Sequence, residues 1–375
     1  MNILVIGAGA IGCLVGGRLA LANTATAHRA ITLVGRPRFV QAVQHQNGLR
    51  IEQEGQQQRI GGLRTVGSTQ QAFNERSQDF DAIILTVKSY DTDVALQEIS
   101  ASLQSHRHKQ PLIVTLQNGV GNEESAAHVF DPAYVIAGMI TTPVTLAAPA
   151  VIRVEKEQFS VGISPWHPAV PHKPFEALRV ALHGAGFDVV VYSHPHALKW
   201  TKLLMNIVGN ASSAILNMSP TEVFANPQLV DIEIDAWREA LSVMHASGIP
   251  PVNIGSYPFT ILAPLMRRLP KGILRPMLRG QIGGARGQKM PSLHIALHSH
   301  EPQRRAKSEI DWFNGAVVRQ GGSVGIPTPV NRMLTDTLRY IIRFPQQTAL
   351  WERDTLRMVV TADEYRSRER HISVP

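Results

Sequence analysis

Apolar residues in the first half of the chain fall in short unbroken runs, each followed by a stretch in which they recur every three or four positions. The runs are NILVIG from residue 2, AITLVGR from 30, DAIILTVK from 81 and PLIVTLQNG from 111. They are rich in Ile, Val and Leu, as strands buried on both faces of a parallel sheet are. Helical periods separate them, the first spanning Ala10 to Ala22. Strands alternating with helices predict a doubly wound α/β domain, with Phe187 to Ser193 as its last strand. Beyond about His194 the helical period dominates, over roughly 196–217, 227–247, 303–321 and 329–344. The pattern divides the chain into an α/β domain at 1–193 and an all-helical domain at 194–375. An insertion rich in Pro and Arg, about 250–290, is broken by its prolines into short helices with a solvated basic face. The charged tail from Arg366 is expected to fray.

Composition changes this picture little. A chain of 375 residues, 44% hydrophobic, is long enough for two cores. No run of eighteen apolar residues predicts a membrane span. The segment LMRRLPKGILRPMLR within the insertion has a membrane-surface character, but its prolines favour solvated short helices, so no membrane partner is expected. The apolar start lacks a basic leader and carries Arg18, which argues against a secretory signal. Cys13 is the only cysteine. It excludes an internal disulfide and suits a cytoplasmic location, as a small buried side chain. The net charge of +8 comes without zinc-finger spacing, an aromatic RNA motif or a basic tail, so nucleic acid is not expected. An anionic cofactor and substrate suit the balance equally well. No metal site is expected. The oligomeric state stays open, a homodimer being one candidate.

The first strand runs into IGAGAIG, which sets Gly7, Gly9 and Gly12 in G-x-G-x-x-G spacing between a strand and a helix. Gly7 permits the tight turn, Gly9 lets backbone approach a pyrophosphate, and Gly12 lets helix and strand pack closely. Ala8, Ala10 and Ile11 complete the turn, and the pyrophosphate sits at the helix N-terminus. In this context the motif predicts a Rossmann-like dinucleotide-binding domain. The second strand ends in LVGRPR, with no acid to accept from ribose hydroxyls. Arg36, near Arg38, offers a planar fork to a 2′-phosphate instead, which predicts NADPH over NADH. Lys88 and Asn118 follow the carboxyl ends of later strands, where such sheets bind ligands. Lys88 is assigned to cofactor or substrate and Asn118 to the nicotinamide ribose, although either could cap a helix or make a turn.

In KWTKLLMNIVGN, Lys202, Asn206 and Asn210 stand four residues apart and form one polar edge of an otherwise apolar helix. An ammonium there can stabilise the charge that grows on a carbonyl oxygen receiving a hydride, then donate the proton. Amides beside it can bind substrate oxygens. In KSEIDWFNGAVV, Glu309 and Asp311 open a helix behind Ser308, where acids commonly complement the dipole; the functional alternative has Glu309 hold a substrate hydroxyl. Spacing alone does not choose between these readings and ordinary helix contacts.

These segments together resemble the ketopantoate reductase (2-dehydropantoate 2-reductase) family. GAGAIG, Val87–Lys88, QNGVG, KWTKLLMNIVGN, KSEIDWFNGAVV and GIPTPVN run in family order from residue 3 to about 331. The resemblance implies a Rossmann domain followed by a helical domain, and NADPH-dependent reduction of 2-dehydropantoate to pantoate, a step of pantothenate and coenzyme A biosynthesis. It makes Lys202 the general acid and Glu309 the substrate-positioning glutamate. Asn206 and Asn210 match the substrate's hydroxyl end, Asn118 and Lys88 the cofactor side, and Arg36 the 2′-phosphate. Ser292 matches a serine for the substrate carboxylate. Ala296 stands where the family often has aspartate, and this puts the identity of the 2-oxo acid in question. The alternatives are a reductase of the same fold for another 2-oxo acid or ketone, and a non-catalytic NADPH-binding sensor.

Overall fold

The computed structural model describes residues 1–22, 30–74, 79–106, 109–155, 158–280 and 289–372. The chain forms two compact units, Met1–Lys199 and Trp200–Pro375. The division falls inside a helix, past the expected 193/194, because the Lys199 side chain is bonded among groups of the first unit.

Among the described residues, the first unit has twelve strands: β1 (Asn2–Ile6), β2 (Ala30–Val34), β3 (Leu49–Gln53), β4 (Gln56–Ile60), β5 (Arg64–Val66), β6 (Ala82–Leu85), β7 (Leu112–Thr115), β8 (Val135–Ile140), β9 (Val144–Ala148), β10 (Val151–Val154), β11 (Phe159–Pro165) and β12 (Phe187–Val191). Eight form a sheet in the order β12-β11-β8-β7-β6-β1-β2-β5. Its pairs are parallel except β11 with β8. Its helices are α1 (Ala10–Leu21), α2 (Pro37–His45), α3 (Thr69–Asn74), α4 (Thr92–His106), α5 (Asn122–Val129) and α6 (His172–Gly184). This is the expected Rossmann-like domain.

A second sheet, β4-β3-β10-β9, is absent from the hydrophobic reading. β4 is QQQRI, and its first four residues are exposed. A strand with one wet face and one short buried stretch leaves no apolar run to detect. This sheet explains why α1 lacks a polar face. A β-carbon on Gly16 would lie 3.7 Å from Leu33 of β2, and one on Gly17 would lie 2.8 Å from Ile60 of β4 and 2.9 Å from Leu49 of β3. The helix is therefore packed between two sheets. Arg18 leaves that apolar setting by donating to Ala185 O, 2.9 Å away beyond the end of α6.

The helical part comprises α7 (Pro195–Ile207), which carries the chain from one unit into the other, then α8 (Asn210–Leu216), α9 (Pro220–Ala225), α10 (Pro227–Ala246), α11 (Phe259–Arg268), α12 (Lys271–Leu278), α13 (Ser292–Leu297), α14 (Pro302–Arg305), α15 (Asn314–Ser323), α16 (Pro329–Arg343) and α17 (Thr355–Ile372). Three expectations are corrected. The helix expected over 196–217 breaks at Gly209, whose φ is +64°. The helix expected over 303–321 is interrupted by a 3-10 turn, Ile310–Trp312, whose entry is held by Ile310 N donating to Ser308 Oγ at 3.1 Å. The tail does not fray at Arg366, because its guanidinium reaches Asp235 and Asp363, each at 2.6 Å.

The insertion also differs from expectation. Lys271 pairs with Asp235 and Arg275 with Asp231, both at 2.7 Å. Arg238 donates to Met266 O at 2.9 Å and to Leu269 O, closing the carboxyl end of α11. One face of α10 thus holds both short helices, and part of the basic face is paired rather than solvated. Residues 281–288 of the insertion and 373–375 of the tail lie outside the described residues. Among the described residues no helix is long and apolar enough to cross a membrane, and no three His, Cys, Asp or Glu side chains cluster as metal ligands.

Candidate functional site

The glycine turn is built by packing at two positions and kept open at the third. Gly7 has φ +109°, and a β-carbon there would lie 2.7 Å from Val87 N. One on Gly12 would lie 1.9 Å from Gly7 O. Both glycines let α1 start directly against the ends of β1 and β6. Gly9 is different: it is exposed, its φ is −80°, and a β-carbon would meet nothing within 4 Å. Its bareness serves no contact among the described residues. It keeps clear the ground before the α1 N-terminus, which no side chain caps. Ala8, Ala10 and Ile11 flank that opening, half-buried. First-turn N–H groups lack partners inside a helix and favour an anion, so the cradle fits a pyrophosphate. Thr86 braces the turn from below, its hydroxyl donating to Gly7 O at 2.7 Å. Cys13 is buried beneath it, and burial pushes its thiol up to about 12, far from any reactive range.

Arg36 is exposed at the carboxyl end of β2, next to β1 in the sheet, where it precedes α2 as its N-cap residue. It can meet a 2′-phosphate without leaving a buried partner behind. Arg36→Ala is expected to lower kcat/KM for NADPH about tenfold to a hundredfold, from roughly 1.5–3 kcal/mol for a hydrogen bond to a charged group. NADH kinetics should hold; an equal loss with both cofactors would remove Arg36 from this role.

Lys88 and Asn118 are brought together by a buried network that the sequence did not reveal. Lys88 is exposed as the N-cap of a 3-10 turn, Ser89–Asp91. Ser89 Oγ donates to Asn118 O at 2.9 Å. Asn122 Nδ2 donates to Ser89 Oγ at 3.3 Å and to Asn118 O at 3.2 Å. Thr92 donates to Asn122 Oδ1 at 2.8 Å and accepts from Gln117 Nε2 at 2.6 Å. These bonds fix the loop after β7 to the loop after β6, both at strand ends that face the glycine turn's side of the sheet. Their only sequence trace is a scatter of Ser, Thr, Asn and Gln, which is also what ordinary turns contain.

The remaining candidates belong to the second unit. Lys202 and Asn206 lie on α7 with Met205, the half-buried edge of a helix whose Thr201, Leu203, Leu204 and Ile207 are buried. That edge answers the polar spacing in part, but Asn210 does not continue it. Gly209 N donates to Glu233 Oε2 at 2.6 Å, and Ser212 Oγ donates to the other oxygen. Glu233 thereby ends one helix and starts the next, and Asn210 opens α8. The Asn210 amide is engaged at both ends. Its Nδ2 donates to Asn206 O at 3.0 Å and Ser292 Oγ at 3.3 Å, and its Oδ1 accepts from Leu293 N at 3.0 Å. Asn210 therefore ties α13 to α8 and holds Ser292.

Glu309 is buried at the entry to the 3-10 turn, and Asp311 within that turn pairs with Arg339 of α16 at 2.5 Å. Ala296 lies one turn beyond Ser292 on α13. Between them His294 Nε2 donates to Asn217 Oδ1, 2.7 Å away, and the ring stacks on His298 with centroids 4.3 Å apart. Burial, and then His298, hold His294 down at about 4, so it is neutral at physiological pH. On the face of α13 that carries Ser292, this chain offers a methyl at Ala296 where the resemblance leads one to expect a carboxylate.

The profile of the family described as ketopantoate reductase PanE/ApbA matches residues 3–167, and that of its C-terminal part matches 196–341. A 2-dehydropantoate 2-reductase of Pyrococcus horikoshii is 26% identical over 338 residues, 89% of this chain and 95% of that protein. Among solved structures, a PanE/ApbA family ketopantoate reductase from Ralstonia eutropha JMP134 superposes with TM-score 0.73 and 26% identity, covering 92% of this chain and all (100%) of that one. A ternary structure of D-mandelate dehydrogenase with NADH and anilino(oxo)acetate has TM-score 0.72 at 20% identity, covering 92% of this chain and 99% of that one. That last likeness is one of fold.

Proposed function

The chain belongs to the ketopantoate reductase family, and from that premise we propose that it reduces a 2-oxo acid to a 2-hydroxy acid, with 2-dehydropantoate as substrate and pantoate as product. The family is one of NADP-dependent oxidoreductases. The open face at Gly9 and the exposed Arg36 suit that cofactor's pyrophosphate and 2′-phosphate. When bound, NADPH supplies the hydride for the 2-carbonyl carbon. Lys202 holds a proton at Nζ and gives it to the carbonyl oxygen as negative charge grows there. Ser292 receives a hydrogen bond from Asn210, which leaves its own hydroxyl proton to donate to the substrate carboxylate. Asn206 and the buried Glu309 orient the hydroxyl end.

The observation that carries this reading is the bond from Asn210 to Ser292. It joins the end of the lysine segment to a serine 82 residues away, so the hydroxyl meant for the carboxylate is held in place before any ligand arrives. The test is a panel of 2-oxo acids followed by NADPH oxidation at the nicotinamide absorbance. The highest kcat/KM is expected for 2-dehydropantoate.

Ala296 supports a second reading, reduction of a different 2-oxo acid by the same residues. A bulkier or more apolar oxo acid outperforming 2-dehydropantoate in the panel would select it. NADPH binding without turnover of any member would leave a sensor. The work of this chain in pantothenate biosynthesis and a cytoplasmic location follow from the first reading as proposals.

A further inference from the structure

Lys199 stands one residue before Trp200 in the lysine segment, and it is 2% exposed. Its Nζ lies 2.8 Å from Glu123 Oε1, a carboxylate whose residue is 1% exposed. The same ammonium donates to Gln117 O at 2.7 Å and Gly138 O at 3.2 Å. A lysine has three protons, and here each has an acceptor. Glu123 Oε1 also accepts from Thr115 Oγ1 at 2.5 Å. Four pieces of the first unit therefore meet at one buried ion pair: the last residue of β7, through Glu123, and the loop that follows it, the middle of β8 and the first turn of α5, at Lys199.

A buried ion pair is seldom the most stable way to fill a core. Leucine and methionine fill such space without losing hydration. What the pair adds is direction, since an ammonium with three fixed acceptors has one place to sit. Lys199 lies on α7, three residues before Lys202. On a helix that is about 4.5 Å along the axis and just under one turn around it. Gln117, whose carbonyl accepts from Lys199, directly precedes Asn118. One buried contact thus bears on the helix that presents Lys202 and on the loop that presents Asn118.

We infer that Lys199 and Glu123 are positioning residues for the reaction, the buried ion pair fixing the rotation and height of α7 and with them the place of Lys202. This deepens the proposed function and rests on Lys202 as the general acid. Neither residue touches substrate. Their removal should displace the proton donor without changing its chemistry, and small displacements of catalytic groups are costly in rate.

The test compares Lys199→Met/Glu123→Gln, which replaces the pair by neutral groups of similar shape, with Glu123→Gln alone, in the full-length protein. Rates are expressed per NADPH-binding site, from NADPH titration by calorimetry, so that a partly unfolded preparation does not pass for slow enzyme. The double variant is expected to bind NADPH within about twofold of wild type, keep KM for the oxo acid, and lose about tenfold or more in kcat, within the range known for misplaced catalytic groups. Glu123→Gln keeps an acceptor for Lys199 and should fall between the two. Wild-type kcat per site in the double variant overturns the inference; if that variant does not fold, wild-type kcat in Glu123→Gln overturns it. Lys202→Ala is measured alongside. Full activity there refutes the general-acid reading itself, whereas its loss beside unaffected pair variants refutes only the positioning role.

Discussion

Replacing Lys202 by alanine is expected to lower kcat by about 10²-fold or more, the low end for loss of general acid catalysis. NADPH affinity should stay near wild type, because the glycine turn and Arg36 belong to the other unit. Folding should be unaffected as well. Lys202 occupies the half-buried edge of α7, and alanine is the best helix former. Lys202→Arg separates two effects that alanine removes together. A guanidinium keeps the positive charge but does not give up a proton at any working pH. If charge alone stabilises the developing oxyanion, arginine retains much of the rate; if proton transfer matters, it is nearly as slow as alanine. Steady-state kinetics with the preferred oxo acid, beside calorimetric NADPH titration, make the measurement. Wild-type kcat in Lys202→Ala would remove the residue from the chemistry.

The α/β architecture was legible because its inner strands β1, β2, β6 and β7 are buried and so appear as unbroken apolar runs; β12, a largely exposed edge strand, was visible only by its run of valines. β3, β4, β9 and β10 were not. Each has a wet face, and their sheet is recognisable only from what covers α1, a fact about packing rather than pattern. β8 and β11 are apolar enough, but the pairing of β11 antiparallel to β8 has no local signal. On the helical side the four-residue spacing of Lys202, Asn206 and Asn210 looked like one stripe. Its break at Gly209 depends on Glu233, 24 residues away, and long-range capping cannot be read from periodicity. The same holds for Lys199. In a linear reading it is a lysine next to a tryptophan, and nothing marks its carboxylate partner in GNEES. Candidates that depended on local chemistry, such as the glycines and Arg36, were found by their motifs, whereas the bonds that hold candidates in place came from distant parts of the chain.

The three glycines of the turn should separate under mutation in a way that tests the cradle directly. Gly12→Ala places a methyl 1.9 Å from Gly7 O and 2.6 Å from Thr86 Oγ1. The first of these atoms is backbone, so the turn must open for the methyl to enter. The expected cost is about 3 kcal/mol, at the upper end for overpacking, together with loss of NADPH binding because the turn no longer has its shape. Gly9→Ala should behave in the opposite way on stability. Its β-carbon meets nothing within 4 Å, and φ of −80° with ψ of −170° is open to alanine. Stability should hold or rise by about 0.5 kcal/mol, as when a compatible glycine loses freedom in the unfolded chain. Its NADPH affinity should nonetheless fall by about tenfold or more, since the methyl projects where the pyrophosphate approaches α1. Thermal melts and NADPH titrations of both variants decide the matter. A Gly9→Ala protein that melts and binds NADPH as wild type does would mean that the open ground before α1 is not where the cofactor lies.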